Sequence, residues 1–151
     1  MRTFASLDEF IAVKGESLGF SEWHKITQEQ VNAFADATGD HQWIHVDTER
    51  AAAGPFGGTI AHGYLTLSLL PVLQMEIFAI EGLAMGINYG LDRVRFPSPV
   101  PVGSSIRAEA TLTDVKETSL GWLASIRLRV EIEGQKKAVC VADTLGVYVG
   151  S

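Results

Sequence analysis

The chain has little of what would tie it to a disulfide scaffold, a membrane or a nucleic acid. It contains one cysteine, Cys140, so no intrachain disulfide can form. A lone thiol fits a reducing, cytoplasmic setting. No uninterrupted apolar run approaches the ~18 residues expected of a membrane-spanning helix. Met1, Arg2, Thr3 and Phe4 open the chain without the apolar core of a signal peptide. Basic residues number 12 against 18 acidic ones, for a net charge of −6. That balance argues against a nucleic-acid partner.

Several catalytic signatures are missing too. Ser68 and Ser119 lack the flanking glycines of a nucleophile elbow. Gly54-Pro55-Phe56-Gly57-Gly58 is glycine-rich without a phosphate-binding spacing, and reads as a cleft wall. His41, His45 and His62 have no zinc-ligand spacing and no cysteine set beside them, so neither a metal nor any other cofactor is expected. There is no internal repeat, low-complexity run or linker, and residues 1–151 read as a single domain.

What is present is well patterned. Ser6 with Glu9 forms a capping box before Leu7, Phe10 and Ile11, and Gly15 marks the expected stop. Leu18, Phe20, Glu22 and His24 fall on one side of a candidate strand reaching Lys25, with His24 as a solvated strand residue. Thr27 with Gln30 makes a second capping box, and Ile26 and Val31 can staple it. Val31, Phe34, Ala35 and Thr38 then keep helical spacing up to Gly39. Asp47 is a plausible N-cap for a short helix through Ala53.

From Tyr64 to Ile80 almost every residue is apolar or small, which predicts a helix buried all round and stopped by Gly82. Pro71 lies inside it, and Gln74 and Glu76 mark a face toward solvent or a partner. Strands follow. Met85 to Phe96 is one, with an irregularity expected at Asp92. Pro97 to Gly103 is a connection, since prolines do not sit inside paired central strands. Ile106 to Leu112 alternates apolar with polar, as does Trp122 to Ile132. Ala138 to Val149 is apolar on both faces in part, as a covered strand would be. Helices segregated from strands in this way predict α+β with an antiparallel sheet, and an all-apolar helix needs a sheet curved about it.

The stretch carrying chemistry is Gly39-Asp40-His41-Gln42-Trp43-Ile44-His45. Gly39 sits where a helix would end, so Asp40 and His45 are expected on non-helical backbone just beyond it. A carboxylate and an imidazole converging on one volume can hold a water and trade protons with it. This stretch resembles the G-D-x-N-P-x-H signature of the MaoC-like (R)-specific enoyl-CoA hydratases, which have the hotdog fold. Gly39, Asp40 and His45 match in identity and spacing; Gln42 and Trp43 stand in place of Asn and Pro. The similarity continues through Ala61-His62-Gly63-Tyr64 and Arg95-Phe96-Pro97 to Gly103, where Ser104 replaces the frequent Asp.

The resemblance implies reversible addition of water to a trans-2-enoyl thioester of CoA or acyl carrier protein. It implies Asp40 and His45 as the acid/base pair, with the roles unassigned between them. The Gly63 N–H at a helix start becomes the candidate oxyanion donor. His62 takes a supporting role, and Gln42 either orients the water or His45 or serves only loop bonding. Arg93, Arg95, Lys136 and Lys137 could meet CoA phosphates, but strand charges are more often solvated and none is named as a site. A homodimer is expected, because a hotdog sheet leaves an edge to close. A hotdog thioesterase and a non-catalytic acyl-thioester-binding module are the competing readings.

Overall fold

The computed structural model describes residues 1–151. In chain order the elements are β1 (Arg2–Phe4), α1 (Leu7–Ala12), β2 (Ser17–Phe20), β3 (His24–Lys25), α2 (Gln28–Thr38), α3 (Trp43–Val46), α4 (Thr48–Ala52), α5 (Gly63–Ile77), β4 (Phe78–Ile80), β5 (Leu83–Arg95), β6 (Ser105–Thr118), β7 (Gly121–Ile132) and β8 (Ala138–Gly150). The main sheet is antiparallel in the order β2-β6-β7-β8-β5, with β3 also on β6. β1 and β4 form a small parallel pair. This is the hotdog fold: one sheet curved about one central helix, α5.

The alternating strands behave as their period demands. Ile106, Ala108, Ala110 and Leu112 on β6 are buried, as are Ala124, Ile126, Leu128, Val130 and Ile132 on β7. Full burial of each leucine or isoleucine contributes on the order of 1.5–3 kcal/mol, so this inner face is a main source of stability. Leu65, Leu70, Leu73 and Ile77 of α5 join the same core. β5 carries register shifts between Leu83 and Met85, Asn88 and Gly90, and Leu91 and Arg93, the last at Asp92, where an irregularity is expected.

The N-terminal caps form as the sequence predicts. Ser6 Oγ accepts from the Glu9 N–H at 3.3 Å, although the Glu9 carboxylate reaches back to Ala5, not to the cap itself. Thr27 Oγ1 accepts from the Gln30 N–H at 3.2 Å, and Ile26 and Val31 are both fully buried beside it. Asp47 caps α4 through the Arg50 N–H.

Five expectations need correcting. α1 ends at Ala12, before Gly15. The strand expected through Lys25 is split into β2 and β3, and β2 itself carries a register shift between Ser17 and Gly19. His24 is not merely solvated, since its Nε2 lies 2.8 Å from the carboxylate of Glu76 on α5. The central helix stops at Ile77, because Phe78 to Ile80 pair with β1 and Phe78 stacks on Phe10 at 5.2 Å.

Nor is that helix buried all round. Tyr64, Val72 and Met75 are exposed. The sheet covers one side of α5 and leaves the other open. Pro71 is absorbed within the continuous helix.

Candidate active site

The site is assembled where three segments meet: the end of α2 with the loop after it, α3, and the start of α5. Gly39 ends α2 in the left-handed conformation (φ 82°), with its N–H bonded to the Ala35 carbonyl. A side chain at that φ is strained, so glycine makes this abrupt exit cheap. The chain then turns outward at Asp40. Asp40 accepts from the Gln42 N–H at 3.3 Å through Oδ1, and its own N–H faces Thr38 Oγ1 at 3.4 Å. The carboxylate is half-exposed.

His45 does not lie on irregular backbone as expected; it sits on the single turn of α3. It is buried, and its Nδ1 donates to the Ile60 carbonyl at 2.6 Å. A carbonyl only accepts, so the proton is on Nδ1 and Nε2 keeps its lone pair. The backbone around it is cross-tied. The Ile60 N–H donates to Ile44, Ala61 to Val100 and Val102 to Thr59, at 2.8–3.0 Å. The proline-rich connection Pro97 to Gly103 therefore clamps the segment that leads into α5.

His62 is the N-cap residue of α5 and is almost fully buried. Its Nε2 donates to the Asp40 carbonyl at 2.9 Å. Its ring stacks on that of His45, with centroids 3.9 Å apart and planes 24° from parallel, and Phe34 tilts against it at 4.9 Å. Ligand-type atoms of Asp40, His45 and His62 all lie within 4.8 Å of one another. Two hydrogen bonds of about 2.8 Å through one water span that distance. A shared metal ion fits poorly. Imidazole lone pairs lie in the ring plane, so rings stacked 24° from parallel direct them side by side and not onto one ion. His41 stands apart from this cluster, with its ring on Asp36. That contact holds the His41 imidazolium above its ordinary range.

Gly63 opens α5, so its N–H has no intrahelical acceptor and sits at the positive end of the helix dipole. A Cβ there would stand 3.1 Å from the Phe96 ring, which accounts for the absent side chain. Gln42 contributes its backbone N–H to Asp40, and its side chain makes no capping bond. The side-chain support for His45 comes from Gln28, at the start of α2. Gln28 Nε2 donates to the His45 carbonyl at 2.8 Å, while its Oε1 accepts from Thr59 Oγ1 at 2.6 Å. Sequence reasoning missed Gln28, whose place inside a capping box gave it an ordinary job. The Gly54–Gly58 segment packs on Trp43 through Gly54 and forms no wall of the large trough beside α5.

Residues 9–122 match the MaoC like domain family. The chain belongs to that family. Among curated relatives, it is 56% identical over 150 residues to the 3-hydroxyacyl-thioester dehydratase Z of Mycobacterium tuberculosis, covering 99% of both chains. It is 45% identical over 145 residues to nodulation protein N of Rhizobium meliloti, covering 94% of this chain and 90% of the other. The solved (R)-hydratase from A. caviae involved in PHA biosynthesis superposes with a TM-score of 0.73 at 25% identity, covering 89% and 95%. This MaoC-like chain is accordingly a hydratase/dehydratase, a hydro-lyase.

Proposed function

We propose that this hydro-lyase adds water reversibly to trans-2-enoyl thioesters of CoA or acyl carrier protein, giving (R)-3-hydroxyacyl thioesters in fatty acid metabolism. We assign the acid/base work to Asp40 and His45. The observation that carries the assignment is their convergence within one water's span, beside a free helix-start N–H. In this reading a water donates to the Asp40 carboxylate and to the lone pair on His45 Nε2. Its oxygen is then free to attack C3. One proton leaves the water for the pair, and the pair returns one to C2. Charge building on the thioester oxygen meets the Gly63 N–H, where a fixed dipole is worth most because it need not reorganise.

The reading includes a homodimer with two equivalent sites. β5 is an edge strand of 13 residues, and Met85, Ile87, Tyr89 and Leu91 along it are exposed. A trough of about 840 Å³ runs between α5, β5 and β8, lined in part by Leu67, Pro71, Met75 and Tyr148. A second copy against β5 would roof the trough and give an acyl chain a dry channel. We place the enzyme, as a single unit, in the cytoplasm. Its one thiol is buried, and burial pushes it up to about 11, out of the reactive range. No helix is long and apolar enough to cross a membrane.

One assay tests the activity. Crotonyl-CoA is supplied, and enoyl absorbance and free thiol are followed separately. Hydration predicts loss of absorbance with no thiol release. Thiol release would mean hydrolysis, and binding with neither change would mean a non-catalytic module.

A further inference from the structure

Two buried side-chain atoms have no hydrogen-bond partner in the chain: Nδ1 of His62 and Oγ1 of Thr66. They belong to residues four apart at the start of α5, His62 as its N-cap and Thr66 in its first turn, where the Thr66 N–H bonds the His62 carbonyl. Their needs are complementary. His62 Nε2 spends its proton on the Asp40 carbonyl, which leaves Nδ1 as a bare lone pair. Thr66 holds the missing donor in its hydroxyl. A helical threonine commonly bonds the carbonyl four residues earlier. Here that carbonyl, of His62, already accepts the Leu65 and Thr66 N–H groups at 3.0 and 3.2 Å, and the hydroxyl is not bonded to it. Buried polar atoms are costly to leave unpaired.

We propose that Thr66 is a positioning residue of the active site. Its hydroxyl supplies the hydrogen bond to His62 Nδ1, relayed by one buried water. That bond locks His62 in the tautomer whose Nε2–H holds the Asp40 backbone. Thr66 touches neither the substrate nor the attacking water. Its influence runs through His62 to the Asp40 carboxylate, and through the stacked ring to His45. The kinetic side of the proposal rests on the reading of Asp40 and His45 as the acid/base pair; the spectroscopic side does not.

The test combines nitrogen NMR of histidine-labelled protein with hydration kinetics on the wild type, Thr66→Val and Thr66→Ser. In the wild type the His62 proton is expected on Nε2, with the Nδ1 signal displaced toward its hydrogen-bonded position. Valine matches threonine in shape and cannot donate. Thr66→Val should lose that displacement, and kcat should fall about tenfold, the rate equivalent of one ordinary hydrogen bond, with KM changed less than about twofold. Thr66→Ser should restore both. A wild-type spectrum with an unbonded Nδ1, or with the proton on Nδ1, overturns the link even if the valine variant does not fold. Full turnover in Thr66→Val overturns the positioning role. A wild type without hydratase activity counts against the acid/base reading, and its spectrum still decides the Thr66 link.

Discussion

The ring of Phe96 lies over the α-carbon of Gly63, 3.1 Å from where a Cβ would stand. Two substitutions at Gly63 therefore share a steric cost and differ in chemistry. Gly63→Ala adds the Cβ and keeps the N–H. Gly63→Pro adds bulk and deletes the N–H at a helix start, where proline is otherwise tolerated. If the amide is the oxyanion donor, proline should cost ~10²–10³ in kcat, well beyond alanine. Equal losses in the two variants would assign the effect to Phe96 and move the donor elsewhere.

Asp40→Asn and His45→Gln preserve size and remove proton transfer. Each should lower hydration by ~10²–10⁴-fold, the usual worth of a positioned acid or base. The Asp40 variant should fold normally, since its carboxylate is half-exposed and accepts one backbone bond on the loop. Either folded variant with more than about a tenth of wild-type turnover would refute the assignment.

The pairing of Glu76 with His24 ties β3 to the central helix and sets a pH dependence. The hydrogen bond from His24, followed by the Glu22 N–H and the His24 charge, holds the Glu76 carboxyl below its ordinary 4.5. A carboxyl depressed by folding stabilises the protein above its unfolded value. That contribution disappears as pH falls through the lower, folded value. Glu76→Gln should thus lower Tm at neutral pH, and the two Tm curves should converge in acid. The pair is partly exposed, so the gap at neutrality should be on the order of 0.2–1 kcal/mol. Parallel curves down to low pH would show that this carboxylate carries none of the dependence.

Sedimentation tests the proposed dimer. At micromolar concentration the active species should have twice the chain mass. A charge placed at Tyr89, exposed on the β5 edge, should shift it toward one chain and depress activity. A fully active species with the mass of one chain would refute the dimer.

Features set by near neighbours were legible in the sequence. Thr27, Gln30 and Gly39 announce both ends of α2, and the period of Ile126, Leu128 and Val130 reveals which face of β7 is inward. The resemblance of Gly39, Asp40 and His45 to the MaoC-like signature marks the candidate pair in the sequence. What stayed hidden depends on partners distant in sequence. Phe78 to Ile80 continue the apolar run of α5, and only the arrival of Arg2 to Phe4 turns them into a strand. The contact between His45 and His62 needs the clamp from Val100. An open face on α5 is expected at Gln74 and Glu76, but those side chains bond Tyr148 and His24. The open face is apolar, at Val72 and Met75. An all-apolar helix does not show in sequence which side its own chain covers.

The connectivity of the sheet also bears on how the protein reaches its folded state. β6, β7 and β8 are successive and pair in that order, so this meander closes only short loops. The outer strands join from afar: Ser17 on β2 bonds Glu109 on β6 across 92 positions. Contacts of that separation carry most of the entropic barrier and form late. The site belongs to the late group, since it needs α2, α3, the Val100 clamp and α5 together. In refolding, strand signals should recover first and enoyl hydration last, which would leave a transient population with an ordered sheet and no catalysis. Simultaneous recovery of both signals would rule that population out.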